Sequence, residues 1–165
     1  MVRVCLDLNV WCAAFIGRRL GRSDTAAIAL VDAVRSGRSP RGPVGLVVSW
    51  GMLERLRTVL VRDLDFPQPD ATRLVELIAS YAREGPSLTL GGVGVVPLHD
   101  VEDRHVLETA WAGRADILAT ANLADFIQDG DRPLVQGRVY RLERGGRPMI
   151  LAHPFDAIGW LREQP

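Results

Sequence analysis

Val4-Cys5-Leu6-Asp7-Leu8-Asn9-Val10 is an apolar, strand-forming run that stops on a carboxylate, and its reading governs the rest of the chain. Val2 to Leu6 reads as a buried strand. Val10 to Ile16 then continues with helical spacing, with Asn9 as the expected N-cap. A second segment with the same grammar lies far downstream. Asp116-Ile-Leu-Ala-Thr-Ala-Asn-Leu-Ala-Asp-Phe126 is a short apolar strand that ends at Thr120, with Asp125 just beyond it. Between the two, Asp100-Val-Glu-Asp-Arg-His-Val-Leu-Glu-Thr-Ala110 opens a helix on acids. Asp103, Val106, Leu107 and Ala110 share one helical face, so Asp103 sits in the first turn with apolar packing behind it. Acids at element ends suit a ligand site, because an open α/β sheet leaves its crevice there. The chain's only asparagines, Asn9 and Asn122, fall in the first and last of these segments.

The remaining chain alternates strands and helices. Ser23 or Asp24 is the expected cap of a helix through Ile28, Leu30, Val31 and Val34 that Gly37 stops. Val44 to Val48 reads as a buried strand, and Ser49 as the cap of a helix carrying Met52, Leu53, Leu56, Val59 and Leu60, with Glu54 in its early turns. Pro67 to Pro69 breaks the chain, and Asp70 is the expected cap of the next helix. A Gly-rich segment from Gly85 to Gly94 holds at most weak strands, with Val95 to Leu98 leading into Asp100. Past Phe126 the pattern predicts a hairpin, Val139 to Glu143 with Met149 to Ala152, and a helix from Pro154 to Arg162. Such alternation implies one α/β domain over residues 1–165, with a mostly parallel sheet between helices.

The 165 residues are 47% hydrophobic and 24% charged, with a formal net charge of zero, as expected of a globular cytoplasmic protein. No apolar run is long enough to span a bilayer. Cys5 and Cys12 lack metal-site or redox spacing and read as buried thiols. Zero net charge argues against a nucleic-acid partner, but setting aside Asp7, Glu54, Asp103 and Asp125 leaves a basic remainder made wholly of arginine, which grips phosphate well. Four clustered carboxylates repel one another unless a divalent cation neutralises them, and an all-oxygen set points to Mg²⁺ or Mn²⁺.

These segments resemble the PIN domain family, and in particular the VapC-like ribonuclease toxins of toxin–antitoxin pairs. Asp7 and Asn9 match the opening motif, with Leu8 where a Thr is usual. Ser49 with Glu54 matches the second, Asp103 with Ala110 the third, and Thr120, Asn122, Asp125 and Phe126 the last. The resemblance implies a three-layer α/β/α sandwich, here with an added C-terminal hairpin and helix. It further implies a metal-dependent endoribonuclease in which Asp7, Glu54, Asp103 and Asp125 are catalytic metal ligands. Asn9, Ser49, Asp100, Thr120 and Asn122 would support them, and Asp100 could replace Asp103 as the main ligand. Implied partners are RNA, a cognate antitoxin and a second copy of the chain.

Blander readings stand beside these. His105, two residues past Asp103, is expected on another helical face in a packing or capping role. Trp11, Trp50 and Trp111 read as core or dimer contacts, Arg18, Arg19 and Arg22 as a solvated loop. Gly91, Gly92 and Gly94 lack nucleotide-cradle spacing. A non-catalytic scaffold binding RNA or protein is the main rival reading. A phosphoryl-accepting domain would want a downstream lysine, which the chain lacks.

Overall fold

The computed structural model describes residues 1–87, 101–143 and 147–163, except for the side chain of Glu102. Its elements run β1 (Val2–Leu6), α1 (Leu8–Arg19), α2 (Ala26–Ser36), β2 (Arg38–Ser39), β3 (Gly42–Val47), α3 (Trp50–Arg62) and α4 (Gln68–Tyr81). They continue with α5 (Val101–Ala112), β4 (Ile117–Ala119), β5 (Arg132–Val135), β6 (Val139–Leu142), β7 (Met149–Ala152) and α6 (Pro154–Arg162). The seven strands form one sheet in the order β2-β3-β1-β4-β7-β6-β5. The four central strands are parallel, with Cys5 opposite Val47, Leu6 opposite Ala119, and Ala119 opposite Ala152. Antiparallel β2 extends one edge, and antiparallel β6 and β5 the other.

β1 lies between β3 and β4, both later in sequence. The chain therefore leaves β1 in one direction to reach β3 and crosses back over it to reach β4. Right-handed crossovers then put α1 and α2 on one face and α3 to α5 on the other. The carboxyl end of β1 is the point where the winding reverses, which is where such sheets open a crevice. Buried side chains fill both faces: Val4, Leu6, Leu118 and Leu151 come from the central strands, and Trp11, Leu30, Leu56 and Leu107 from the helices.

The helix starts depart from the sequence reading in an instructive way. Asp7, and not Asn9, is the N-cap of α1, its carboxylate accepting the Leu8 N–H at 2.6 Å. Thr25 replaces Ser23 or Asp24 as the cap of α2, accepting from Ile28 N. Pro67 precedes α4, leaving Asp70 inside the first turn. At α1 and α2 several acceptors lie within a few residues and propensity does not choose among them, whereas α4 starts on a proline with no side-chain cap. Gly37 ends α2 in the left-handed conformation at φ 68°, as glycine permits.

The C-terminal hairpin of β6 and β7 and the helix α6 lie where the pattern places them, whereas β2 and β5 have no counterpart in the sequence reading. Both are short edge strands, and all four residues of β5 are exposed, so neither has the apolar run that marks a buried strand. Most of the segment expected to hold weak strands, the glycines 91, 92 and 94, the stretch Val95 to Leu98 and Asp100 lie outside the described residues. Among the described residues no helix is long and apolar enough to cross a membrane.

Phe126 follows the turn after β4 and is fully buried. Phe126→Ala should lower the unfolding free energy by about 3–5 kcal/mol, read as a reduced urea midpoint at unchanged slope. A loss under about 1 kcal/mol would mean that the ring does not anchor this turn.

Candidate active site

Asp7 leaves β1 and caps α1, so the local backbone holds its side chain in place. Only 6% of it is exposed. Its carboxylate accepts three hydrogen bonds: Leu8 N at 2.6 Å, Asn9 Nδ2 at 2.7 Å and Thr120 Oγ1 at 2.7 Å. Thr120 stands at the end of β4, the strand beside β1, and its hydroxyl also accepts from Asn9 Nδ2 and Asn122 N. Asn9 Oδ1 in turn accepts the Ala121 N–H at 3.1 Å. The two asparagines thus belong to one network joining the ends of β1 and β4. Burial raises the Asp7 pKa above the ordinary carboxylate value, the hydrogen bonds from Thr120, Leu8 and Asn9 oppose that rise, and the charge of Asp125 adds to it.

A cavity of about 250 Å³ opens at this end of the sheet, and Asp7 and Asp103 both line it. Asp103 comes from the first turn of α5. Gly51, Met52 and Arg55 of α3 supply another wall, and His105 a further one. His105 stands on a different face of α5 from Asp103 and lines the cavity as well. The cavity meets α5 at its amino end and wraps around the first turn, so residues about 200° apart on the helix both reach it.

His105 is anchored through Ser49. Ser49 is buried at the N-cap of α3, where its Oγ accepts from Met52 N at 3.2 Å and lies 3.2 Å from Thr109 Oγ1. The same hydroxyl is hydrogen-bonded to His105 Nε2, 2.7 Å away. Burial lowers the His105 pKa, while the charge of Glu108 acts the other way. Gly51 is needed for the arrangement, because a Cβ there would lie 2.6 Å from His105 Cε1.

Glu54 is not brought to the cavity. Met52, Leu53, Leu56 and Leu60 face the core, which turns Glu54 to solvent with 64% of its side chain exposed. There it pairs with Arg57 one turn on, and that guanidinium holds its carboxyl below the usual range. The same periodicity, applied to the sequence, places residue 54 outward. Asp125 is exposed in the turn Leu123–Asp125, accepts from Asn122 Nδ2, and acts on Asp7 through its charge. Asp100 lies outside the described residues.

Trp11 is a core residue stacked obliquely on Phe15, Trp111 packs at the core margin, and Trp50 is 47% exposed. In the arginine loop, Arg18 pairs with Asp32, while Arg19 lies over Phe66 and donates to Leu64 O. Cys5 is buried and Cys12 partly so, both as free thiols.

The donor chemistry suits a hard divalent cation. Two carboxylates, one of them desolvated, line a cavity large enough for water. Among the described residues no three Asp, Glu, His or Cys side chains stand together as a complete ligand set.

Because the folded state raises the Asp7 pKa, its proton is held more tightly when folded. The stability this contributes is present below the unfolded value near about 3.9 and is lost as pH rises through the folded pKa. Asn at this position does not titrate. The stability of wild type relative to Asp7→Asn should therefore fall in urea titrations as pH rises above about 4. A difference that stays flat, or that grows in favour of wild type, would contradict the desolvated carboxylate.

A sequence profile described as the PIN domain matches residues 3–124, which takes in β1 through the turn after β4. No curated protein matches the chain. The matched span holds Asp7, Asp103, Ser49, Thr120 and both asparagines, and Asp125 falls immediately beyond it. The chain belongs to the PIN domain family, whose members are in general nucleases.

Proposed function

We propose that this protein is a divalent-cation-dependent endoribonuclease that hydrolyses RNA phosphodiester bonds and acts as the toxin of a toxin–antitoxin pair. The observation that carries the catalytic part is the desolvated Asp7 carboxylate sharing one cavity with Asp103 at the point where the sheet winding reverses. Asp7 and Asp103 would hold Mg²⁺ or Mn²⁺, with Asp125 adding negative charge from the rim. The bound cation would supply an activated water and draw charge from the phosphate. Thr120 and Asn9 fix the Asp7 oxygens by donating to them, so the carboxylate is oriented before substrate arrives. The motif wording around Asp7, Asp103 and Thr120 supports the toxin reading, which brings with it a protein antitoxin, a homodimer and a cytoplasmic site of action.

The outward turn of Glu54 and the apolar Leu8 beside Asp7 favour a second reading, a PIN scaffold that binds RNA without cutting it. Cleavage of a mixed RNA substrate separates the two. Wild type should cut with Mg²⁺ or Mn²⁺ and stop with chelator. Asp7→Asn and Asp103→Asn should each lose at least about a hundredfold in rate, having lost a ligand charge at little change in volume. Glu54→Gln should stay within about threefold of wild type, since that side chain faces solvent. Metal-independent cutting, or full activity in Asp7→Asn, would place the activity elsewhere. No cutting by wild type under any metal would leave the scaffold reading.

A further inference from the structure

The cavity lined by Asp7 and Asp103 is larger than cation chemistry needs. It measures about 250 Å³, whereas one water needs only about 10–15 Å³. A hard cation with a full octahedral water shell therefore leaves more than half of the space over.

Much of the cavity wall is apolar. Leu8, Met52, Val101 and Val106 line it together with the two acids. Met52 and Val106 are only 2% and 3% exposed, so the floor is the edge of the hydrophobic core, while Val101, 60% exposed, stands where the cavity meets solvent. These residues adjoin the acids along the chain. Leu8 follows Asp7 at the start of α1, and Val106 lies one turn after Asp103 on the same face of α5. Protein interiors are close-packed, and a recess of this size with an apolar floor and a few polar groups at one side has the form of a ligand pocket. A ligand that suits it has an anionic part for a cation held by the acids and a flat apolar part for the floor. A nucleotide joins the two across a single sugar, and an unstacked base presents its faces to side chains.

We propose that the wall of Leu8, Met52, Val101 and Val106 receives one unstacked base of the RNA strand, next to the phosphate that lies at Asp7 and Asp103, and so selects which bond is cut. This deepens the ribonuclease reading and rests on it. The acids serve the bond that breaks, and the apolar wall serves the choice of bond.

Cleavage of a mixed-sequence single-stranded oligoribonucleotide with Mn²⁺, followed by sequencing of the product ends, tests the assignment. One position beside the cut bond should show a preferred base. An abasic ribonucleotide placed there should lower kcat/KM at least about tenfold, because the binding energy of the base is lost from the transition state. Val101→Trp, made at an exposed position, puts an indole into the cavity and leaves the core alone. In that variant kcat/KM for the base-containing and abasic substrates should agree within about twofold. Leu8→Asn, which makes the wall polar at similar volume, should reduce the difference several-fold. The rise in Tm on adding Mn²⁺ should persist in both variants, since the acids are untouched. Wild type that cuts without base preference and accepts the abasic substrate equally would overturn the base pocket while leaving the ribonuclease reading in place. A base dependence of wild-type strength in either variant would put the base elsewhere. Wild type that cuts no RNA under any metal would overturn the ribonuclease reading itself, and this assignment with it.

Discussion

The hydrogen bonds that hold the Asp7 carboxylate tie together the three elements on which the site depends. Asp7 ends β1, starts α1 through its bond to Leu8 N, and reaches β4 through Thr120 Oγ1. Hydrogen bonds to a charged group are worth about 1.5–3 kcal/mol each, and they are needed here because a carboxylate this buried is otherwise costly. Asn9 and Asn122 extend the network so that the loop after β4 is positioned by the same acid. One side chain therefore serves as helix cap, strand clamp and candidate ligand. These roles are compatible because the carboxyl end of β1 is both the start of a helix and the reversal point of the sheet.

The sequence is legible where a signal is carried by period or by order along the chain. The apolar runs that end at Leu6 and Ala119 are central strands of the sheet. The hairpin of β6 and β7 is visible from two β-forming runs around a glycine-containing turn. The ordered spacing of Asp7, Asp103 and Thr120 points to the family. What stays illegible depends on choices that lie below the resolution of a pattern. Whether Asp7 or Asn9 caps α1, and whether Thr25 or Asp24 caps α2, is not settled by propensity, since all of these residue types cap well. Edge strands such as β5 carry no apolar run, so in sequence they look like loops.

The acids illustrate the limit more sharply. Glu54 fits a motif by residue type and approximate position, but its azimuth on α3 is set by Met52, Leu53, Leu56 and Leu60, and those side chains turn it outward. Arg55, half-buried, is the neighbouring residue of α3 that lines the cavity. Helical-wheel geometry puts His105 on a different face from Asp103, and the cavity reaches both faces near the start of α5. In both cases the deciding information is the placement of neighbours in space. A wheel drawn from the apolar positions recovers the first, while the second needs the tertiary structure.

The central claim is that Asp7 and Asp103 form a cation site at the carboxyl end of β1. Anomalous scattering from crystals equilibrated with MnCl₂ measures this most directly. The account predicts a manganese peak in the cavity between these two carboxylates, absent from crystals of Asp7→Asn. A cavity without a peak at saturating Mn²⁺, or manganese bound only at other surface acids while this cavity stays empty, would contradict it.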